Sequence, residues 1–280
     1  MRGVPLTRWL VGGSSGGDAL ISPVVLGGTS VAGGPGVTSV LLPWAPVEAG
    51  QIATILVPLK YPGLTVATPA GFLALPNSVG TGGFGSNGAD SGSVIAAVFI
   101  RVCDGTESGN VTITISGGSA NTIFPCMDIW ENDLGHGWTV ACVNGADQIV
   151  GTAWSVTFAT DPGIRAGDYV IAFTVSNRDG GTTSAEAIST PGVTYGATFQ
   201  RRNGGSSNGD DIGRHITGHP VTAGVSSGNS VFTATYSITS GNSPAGVTVL
   251  AVLRAPNASG AVSGAIRGGQ SGVNPGGRPS

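Results

Sequence analysis

One stretch of sequence decides the fold because it occurs twice. Glu48-Ala49-Gly50-Gln51, followed by the apolar run 52–59, returns as Arg165-Ala166-Gly167-Asp168 followed by the apolar run 169–175. Both runs are rich in the β-branched and aromatic residues that favour strands. Each copy therefore predicts a turn that leads directly into a buried strand.

The repeat continues beyond these strands. A Gly/Ser/Asn-rich loop follows each copy, and after it come Ser108-Gly109-Asn110-Val111-Thr112 and Ser227-Gly228-Asn229-Ser230-Val231. Each copy then ends in one more apolar run, 122–130 and 247–253. A period longer than a solenoid unit predicts two tandem modules, each with its own core.

Strand signals dominate the chain, and helical periodicity is almost absent because Gly, Pro or β-branched clusters interrupt each apolar window. Val111-Thr112-Ile113-Thr114-Ile115 alternates with period two, which predicts Val and Ile on a buried face and Thr outside. We predict an all-β fold of two duplicated β-sandwich modules of the jelly-roll or immunoglobulin-like type. The predicted strands are 37–42, 52–59, 94–102, 111–115, 122–130, 138–143, 153–159, 169–175, 195–200, 231–238 and 247–253.

The Gly-rich ends set the predicted boundaries. Residues 1–36 read as an N-terminal arm without a core element, so that the first strand opens at Val37. The first module is predicted over 37–135, the second over 136–255, and a Gly/Pro-rich tail over 256–280. Isolated segments of this composition do not order themselves, so we expect a neighbouring subunit to hold them.

Charge and hydropathy exclude several partners. Charged residues make up 10% of the chain, the net charge is -3, and Lys60 is the only lysine, so no basic surface for nucleic acid is expected. No apolar run reaches the roughly 18 residues of a membrane-spanning helix. We expect neither nucleic-acid binding nor membrane insertion.

The three cysteines, Cys103, Cys126 and Cys142, have no metal-binding CxxC spacing. We expect buried, reduced thiols that act as small apolar side chains, with a Cys103–Cys126 disulfide as the alternative.

Catalytic motifs occur only as weak matches. G-x-S-x-G occurs three times, beginning at Gly12, Gly205 and Gly224, and none of the three sits between a strand and a helix as a nucleophile elbow requires. The GxGxxG match at 80–85 is not followed by a helix signal, so we interpret it as a loop tip. The chain is not expected to be an enzyme or to bind a cofactor.

The histidines offer a metal site as an alternative. His215 and His219 lie four residues apart, downstream of Asp210 and Asp211, but Gly213 and Gly218 would break a helix there. We expect an exposed pair at a loop edge and no metal. His136 lies in an acidic stretch without EF-hand spacing, which we interpret as the linker between modules.

The aromatic residues are expected mostly in the core. Their positions inside or at the ends of apolar runs favour packing over sugar stacking, and they are Trp44, Phe72, Trp130, Trp138 and Trp154. Trp9 is the exception because it lies on the arm. Together with Arg2 and Arg8, Trp9 is our candidate for binding a partner, with an unattached arm residue as the alternative.

One family shares this order of motifs. Ala49-Gly50-Gln51 with its strand, Thr68-Pro69-Ala70-Gly71-Phe72, a glycine loop, a strand ending in Arg101-Val102, and the turn at 104–109 before Val111 together resemble a β-sandwich module of tailed-bacteriophage virion proteins. The order is especially similar to minor tail proteins of phages that infect actinobacteria. The second module departs from it, since Pro191-Gly192-Val193 and Ala223-Gly224-Val225 replace two of the motifs.

The resemblance implies a structural component of a phage virion, either a minor tail protein at the tail tip or fibre or, alternatively, a capsid decoration protein. It implies location in the virion, with other virion proteins and further copies of the chain as partners and a host-surface glycan as a further candidate. A different class remains open: a carbohydrate-binding or glycan-degrading module, which needs a solvent-facing aromatic row or a carboxylate pair in a cleft.

Overall fold

The computed structural model describes most of the chain between Leu26 and Arg254. The described residues are 26–60, 64–75, 80–85, 92–119, 122–130, 139–148, 153–158, 161, 163–176, 182–206, 212–237 and 246–254.

All regular elements of the described residues are β-strands, which confirms the all-β prediction. No helix that could cross a membrane occurs in this part of the chain. The strands are β1 (Leu26–Ser30), β2 (Ser39–Pro43), β3 (Ile52–Lys60), β4 (Thr65–Val66), β5 (Leu73–Ala74), β6 (Gly80–Gly85), β7 (Gly92–Val102), β8 (Asn110–Ser116), β9 (Thr122–Ile123), β10 (Cys126–Trp130), β11 (Thr139–Gln148), β12 (Ala153–Phe158), β13 (Tyr169–Ser176), β14 (Thr182–Ser189), β15 (Val193–Tyr195), β16 (Phe199–Ser206), β17 (Ile212–Gly224), β18 (Ser230–Ser237) and β19 (Gly246–Arg254).

The strands form two large and two small antiparallel sheets. The first large sheet has the order β1-β10-β3-β7-β5, with β6 on β7 and β9 on β3. The second has the order β11-β19-β13-β17-β15, with β16 on β17. The small sheets are β2-β8-β4 and β12-β18-β14. Within each large sheet and each small sheet, the strand order of the first half of the chain corresponds to that of the second.

In the described part of the chain, three apolar cores give the order of the layers. One lies between the first small and first large sheets, for example at Ile55 and Ile113. A second joins the two large sheets, for example at Leu56 and Phe173. The third lies between the second large and second small sheets. The layers are therefore small, large, large and small.

The strand patterns explain this arrangement. β8 alternates exposed and buried residues, as its Val-Thr-Ile-Thr-Ile sequence predicts. β3 is buried at all positions, because Ile52 and Leu56 enter the central core while Ile55 faces the small sheet. Burying one such side chain contributes about 1.5–3 kcal/mol, so a strand apolar on both faces favours a layer on each side. Each half has a core of its own, between its small and its large sheet, and the central core is shared by the two halves.

The chain begins its strands earlier than predicted. β1 lies inside the segment 1–36, which we predicted to be an arm without a core element. It pairs with β10, and Val31 N donates to Pro125 O at 3.2 Å. Its sequence, Leu-Gly-Gly-Thr-Ser, carries little strand propensity, so the pairing with β10 sets its conformation. The predicted boundary at 135/136 lies outside the described residues.

Two smaller sequence predictions also have an outcome. The GxGxxG stretch at 80–85 is strand β6 paired with β7, so the loop-tip interpretation was wrong.

Cys103 and Cys126 are buried and unbonded, which confirms the reduced thiols. Burial, followed by the charge of Glu107, raises the pKa of Cys103 to about 11, so this thiol stays protonated at neutral pH.

Candidate functional site at the turn end of the stack

The repeated tetrapeptides form the same turn in both halves. Gln51 N donates to Glu48 O at 3.2 Å, and Glu48 N donates back to Gln51 Oε1 at 2.8 Å. Asp168 N donates to Arg165 O at 3.0 Å, and Arg165 N donates to Asp168 Oδ2 at 3.0 Å. A side-chain oxygen at the last position thus closes each turn, whether it belongs to an amide or to a carboxylate.

The glycine in each turn has a backbone conformation that other residues rarely adopt. The φ angle is 88° at Gly50 and 87° at Gly167, in the left-handed region. Each turn opens directly into the first residue of a central strand, β3 or β13. The rings of Trp130 and Tyr169, next to these turns, lie 5.9 Å apart. Both turns therefore lie at the same end of the stack, which we call the turn end.

In the first half, Glu107 braces the turn end. Its carboxylate accepts hydrogen bonds from Asp104 N at 3.0 Å and Gly105 N at 2.9 Å, and it pairs with Arg101 Nη2 at 3.0 Å. The Glu107 side chain is only 1% exposed. Hydrogen bonds from the hydroxyl and amide of Thr106 lower the pKa of Asp104, which is exposed. The acidic turn is thus held by its own side chains.

Arg101 also joins this turn to the aromatic residues Trp44 and Phe72. Its Cζ lies 5.6 Å from the centroid of the Trp44 ring, and that ring stacks on Phe72 at 5.6 Å. A Cβ at Gly71 would lie 2.5 Å from Arg101 Nη1, so glycine leaves room for the guanidinium. Arg101 and Phe72 therefore pack against the half-buried Trp44 ring. Phe72 itself is buried, as predicted for core aromatics.

In the second half, two aspartates take the bracing role. Asp161 accepts hydrogen bonds from Ser226 Oγ at 2.5 Å and from Gly163 N at 2.8 Å. Partial desolvation raises the pKa of Asp161, but these hydrogen bonds outweigh it and hold the pKa below its usual value. Asp168 accepts from Arg254 Nε at 2.8 Å and Nη2 at 2.6 Å. The hydrogen bonds that Arg254 donates to Asp168 raise the pKa of Arg254.

Several exposed apolar side chains lie at or near this end. Leu41, Leu73, Val102 and Val225 are 56%, 73%, 53% and 63% exposed. Leu73 follows the 68–72 turn, Val102 ends β7, and Val225 forms a bridge with Arg165. Leu41 pairs with Thr112 near the start of β8. Leu73, Val102 and Val225 lie at this end beside polar turns, a combination that is typical of interaction sites, so the turn end is the candidate functional surface.

The two histidines do not lie where we predicted. His215 and His219 are 1% and 0% exposed on β17, so the expectation of an exposed loop-edge pair was wrong. His219 Nδ1 lies 3.3 Å from Thr198 Oγ1, and its Nε2 lies 3.1 Å from Thr217 Oγ1. Among the described residues, no group of three or more His, Cys, Asp and Glu is placed to hold a metal ion.

These buried imidazoles predict a stability that depends on pH. Burial lowers the pKa of His215 to about 3 and that of His219 to about 4. The unfolded chain takes up protons near pH 6.5 and the folded chain does not, so stability is lost as the pH falls from about 6.5 toward 4. We expect a loss of about 2 kcal/mol per histidine between pH 7.5 and 5, measured by urea unfolding.

Glutamine variants separate the histidines from the carboxylates in this experiment. His219→Gln keeps a side chain that can bond to both threonines but cannot titrate in this range. We expect it to remove about half of the pH dependence above pH 5, and the double variant with His215→Gln to remove most of it. An unchanged slope in the double variant would contradict the assignment.

Glu107 gives a second stability prediction. Glu107→Ala removes the acceptor of two turn amides and of Arg101, and we expect a loss of about 2 kcal/mol in the free energy of unfolding. Asp104→Ala is the matched control, since this exposed neighbour accepts hydrogen bonds from Thr106 and lies 3.9 Å from Arg101, and its loss should cost less. Equal losses in the two variants would show that Glu107 is not the brace.

Several predicted residues lie outside the described residues: Arg2, Arg8, Trp9, Ser14, His136, Trp138, Asp210 and Asp211. Trp130 is buried in the central core, as predicted.

The exposed apolar residues of the turn end were not predicted from the sequence. Leu73 directly follows the Pro-x-Gly-aromatic motif, and Val225 lies inside a glycine turn, so apolar residues at turns were the available signal.

Comparison of the chain with protein-family models, curated proteins and solved structures finds no match.

Proposed function

We propose that the chain is a structural component of a tailed-phage virion and functions as a minor tail protein. The observation that carries this proposal is the turn end itself. Its charged side chains, including Glu107 and Asp168, are engaged in bracing turns, while apolar side chains such as Leu73 face solvent. Such a surface suits contact with other proteins, and the sequence resemblance supplies the class of assembly.

We further propose that the two halves arose by duplication of a sandwich module. Three observations support this: the matching strand orders, the identical positions of the tetrapeptide turns, and their equivalent hydrogen bonds. After such a duplication, the carboxylate that braces the turn belongs to the turn itself in the first half, at Glu107. In the second half it belongs to a separate segment, at Asp161. Duplication gives a stack with two turn sets at one end, which enlarges the contact surface.

Labelling of particles tests the function. Gold-conjugated antibody against the purified chain should bind the tails of phage particles whose genome carries this coding sequence, and its peptides should be found in purified particles. Labelling of the shell would support the decoration protein instead. Absence of both the label and the peptides from intact and from disrupted particles would overturn a structural role in the virion.

A further inference from the structure

We propose that the N-terminal segment 1–25 of one copy binds the turn end of a neighbouring copy. This inference rests on the proposed virion function and names the partner of the same surface. It starts from the position of Leu26, because Leu26 pairs with Ile129, Ile129 with Ala53, and Ala53 with Arg101. β1 runs away from the turn end, so residues 1–25 join the structure at that end.

The segment has the chemistry to cover this surface. Trp9-Leu10-Val11 is an apolar cluster that suits the exposed Leu73 and Val102. Burial of an aromatic anchor in an apolar patch is the usual source of affinity at a protein interface. The segment thus supplies an aromatic anchor, and the turn end supplies exposed apolar side chains against which that anchor can pack.

The charges are also complementary. Arg2 and Arg8 are the basic side chains of the segment, and Asp18 is its single acidic one. Glu48, Asp104 and Asp161 are the exposed acidic residues of the turn end, and Asp104 and Asp161 also accept hydrogen bonds from Thr106 and Ser226. Opposite charges at the rim of an interface increase the association rate and set the orientation.

The length of the segment permits exchange between copies. Trp9 precedes Leu26 by a stretch that can extend over about 55 Å at roughly 3.3 Å per residue. From β1 to β7 is three strand spacings, about 14 Å. The segment is therefore long enough to reach past its own sheet. A segment exchanged between identical subunits makes the same contacts as one folded back and also links the copies, which is what an assembly requires.

Paired cysteines test the exchange in the full-length chain. Trp9→Cys combined with Leu73→Cys should give disulfide-linked dimers and larger species on non-reducing gels after mild oxidation. Trp9→Cys combined with Ser116→Cys is the matched control, because Ser116 is exposed at the opposite end of β8. The parent chain under the same oxidation gives the background from its native cysteines.

The possible results distinguish a segment that binds its own turn end from one that binds the turn end of a neighbouring copy. A cross-link confined to monomers would show that the segment covers its own turn end and would overturn the exchange. No cross-link above the parent and Ser116 controls would overturn docking altogether. Sedimentation gives a second readout: Trp9→Ala and Leu73→Asp should each weaken self-association at least tenfold, and a parent that stays monomeric at all concentrations would overturn the proposal. Tail labelling without cross-linking would leave the virion function standing and reject only the docking of the segment.

Discussion

Gly218→Ala should destabilise the protein by about 3 kcal/mol, lowering the melting temperature by about 6–12 °C. Gly218 lies in β17, where the buried ring of Tyr169 passes directly over it. A Cβ at this position would overlap the Tyr169 hydroxyl and lie 2.5 Å from its Cζ. β17 is paired with β13 on one side and β16 on the other, so the backbone cannot move away.

Two controls isolate this clash. Gly34→Ala places a methyl group in open space and should change the free energy of unfolding by less than about 0.5 kcal/mol. In a Tyr169→Leu background, Gly218→Ala should cost much less than in the parent, which a double-mutant cycle by urea unfolding measures. If Gly218→Ala behaves like Gly34→Ala, the packing of Tyr169 against β17 is wrong.

Arg214→Ala should also cost about 3 kcal/mol, because this side chain joins the two large sheets. Arg214 on β17 is 3% exposed and lies over the Phe124 ring, with Cζ 3.6 Å from the centroid. Its Nη1 donates to Phe124 O at 2.8 Å and to Pro125 O at 3.1 Å. Truncation leaves both carbonyl groups short of a buried donor and removes the contact with the ring.

Arg214→Met and Arg214→Lys separate the contribution of the ring contact from that of the hydrogen bonds. Methionine keeps apolar contact with Phe124 without a donor, and lysine keeps one charged donor without the planar group. We expect both variants to lie between the parent and Arg214→Ala in urea unfolding. A loss below about 1 kcal/mol for Arg214→Ala would contradict a structural role for this contact between the sheets.

Much of the fold could be predicted from the sequence because strand periodicity is local. The alternation in β8 and the repeated turns before β3 and β13 each depend on a few adjacent residues. The stacking of the large sheets could not be predicted in this way, since a continuous apolar run such as 52–59 does not indicate which layers pack against it. β1 was missed because Leu-Gly-Gly-Thr-Ser is a strand only through pairing with β10.

The candidate site was harder to predict. Glycines at 213 and 218 suggested a loop around His215 and His219, but Gly218 makes room for Tyr169 inside a long strand. Glu107 could be recognised as part of an acidic turn, yet its burial depends on Arg101 from the preceding strand. Which exposed apolar residues share one end of the molecule depends on strand register and on the packing of the two halves.

The central claim is that the turn end is a contact surface within a tail assembly. A cryo-electron microscopy reconstruction of the phage tail tests it most directly, because a four-layered β stack should be recognisable in the map. Our account predicts that Leu73, Val102 and Val225 lie against a neighbouring subunit. A tail map in which the stack is present and its turn end faces solvent would contradict the claim.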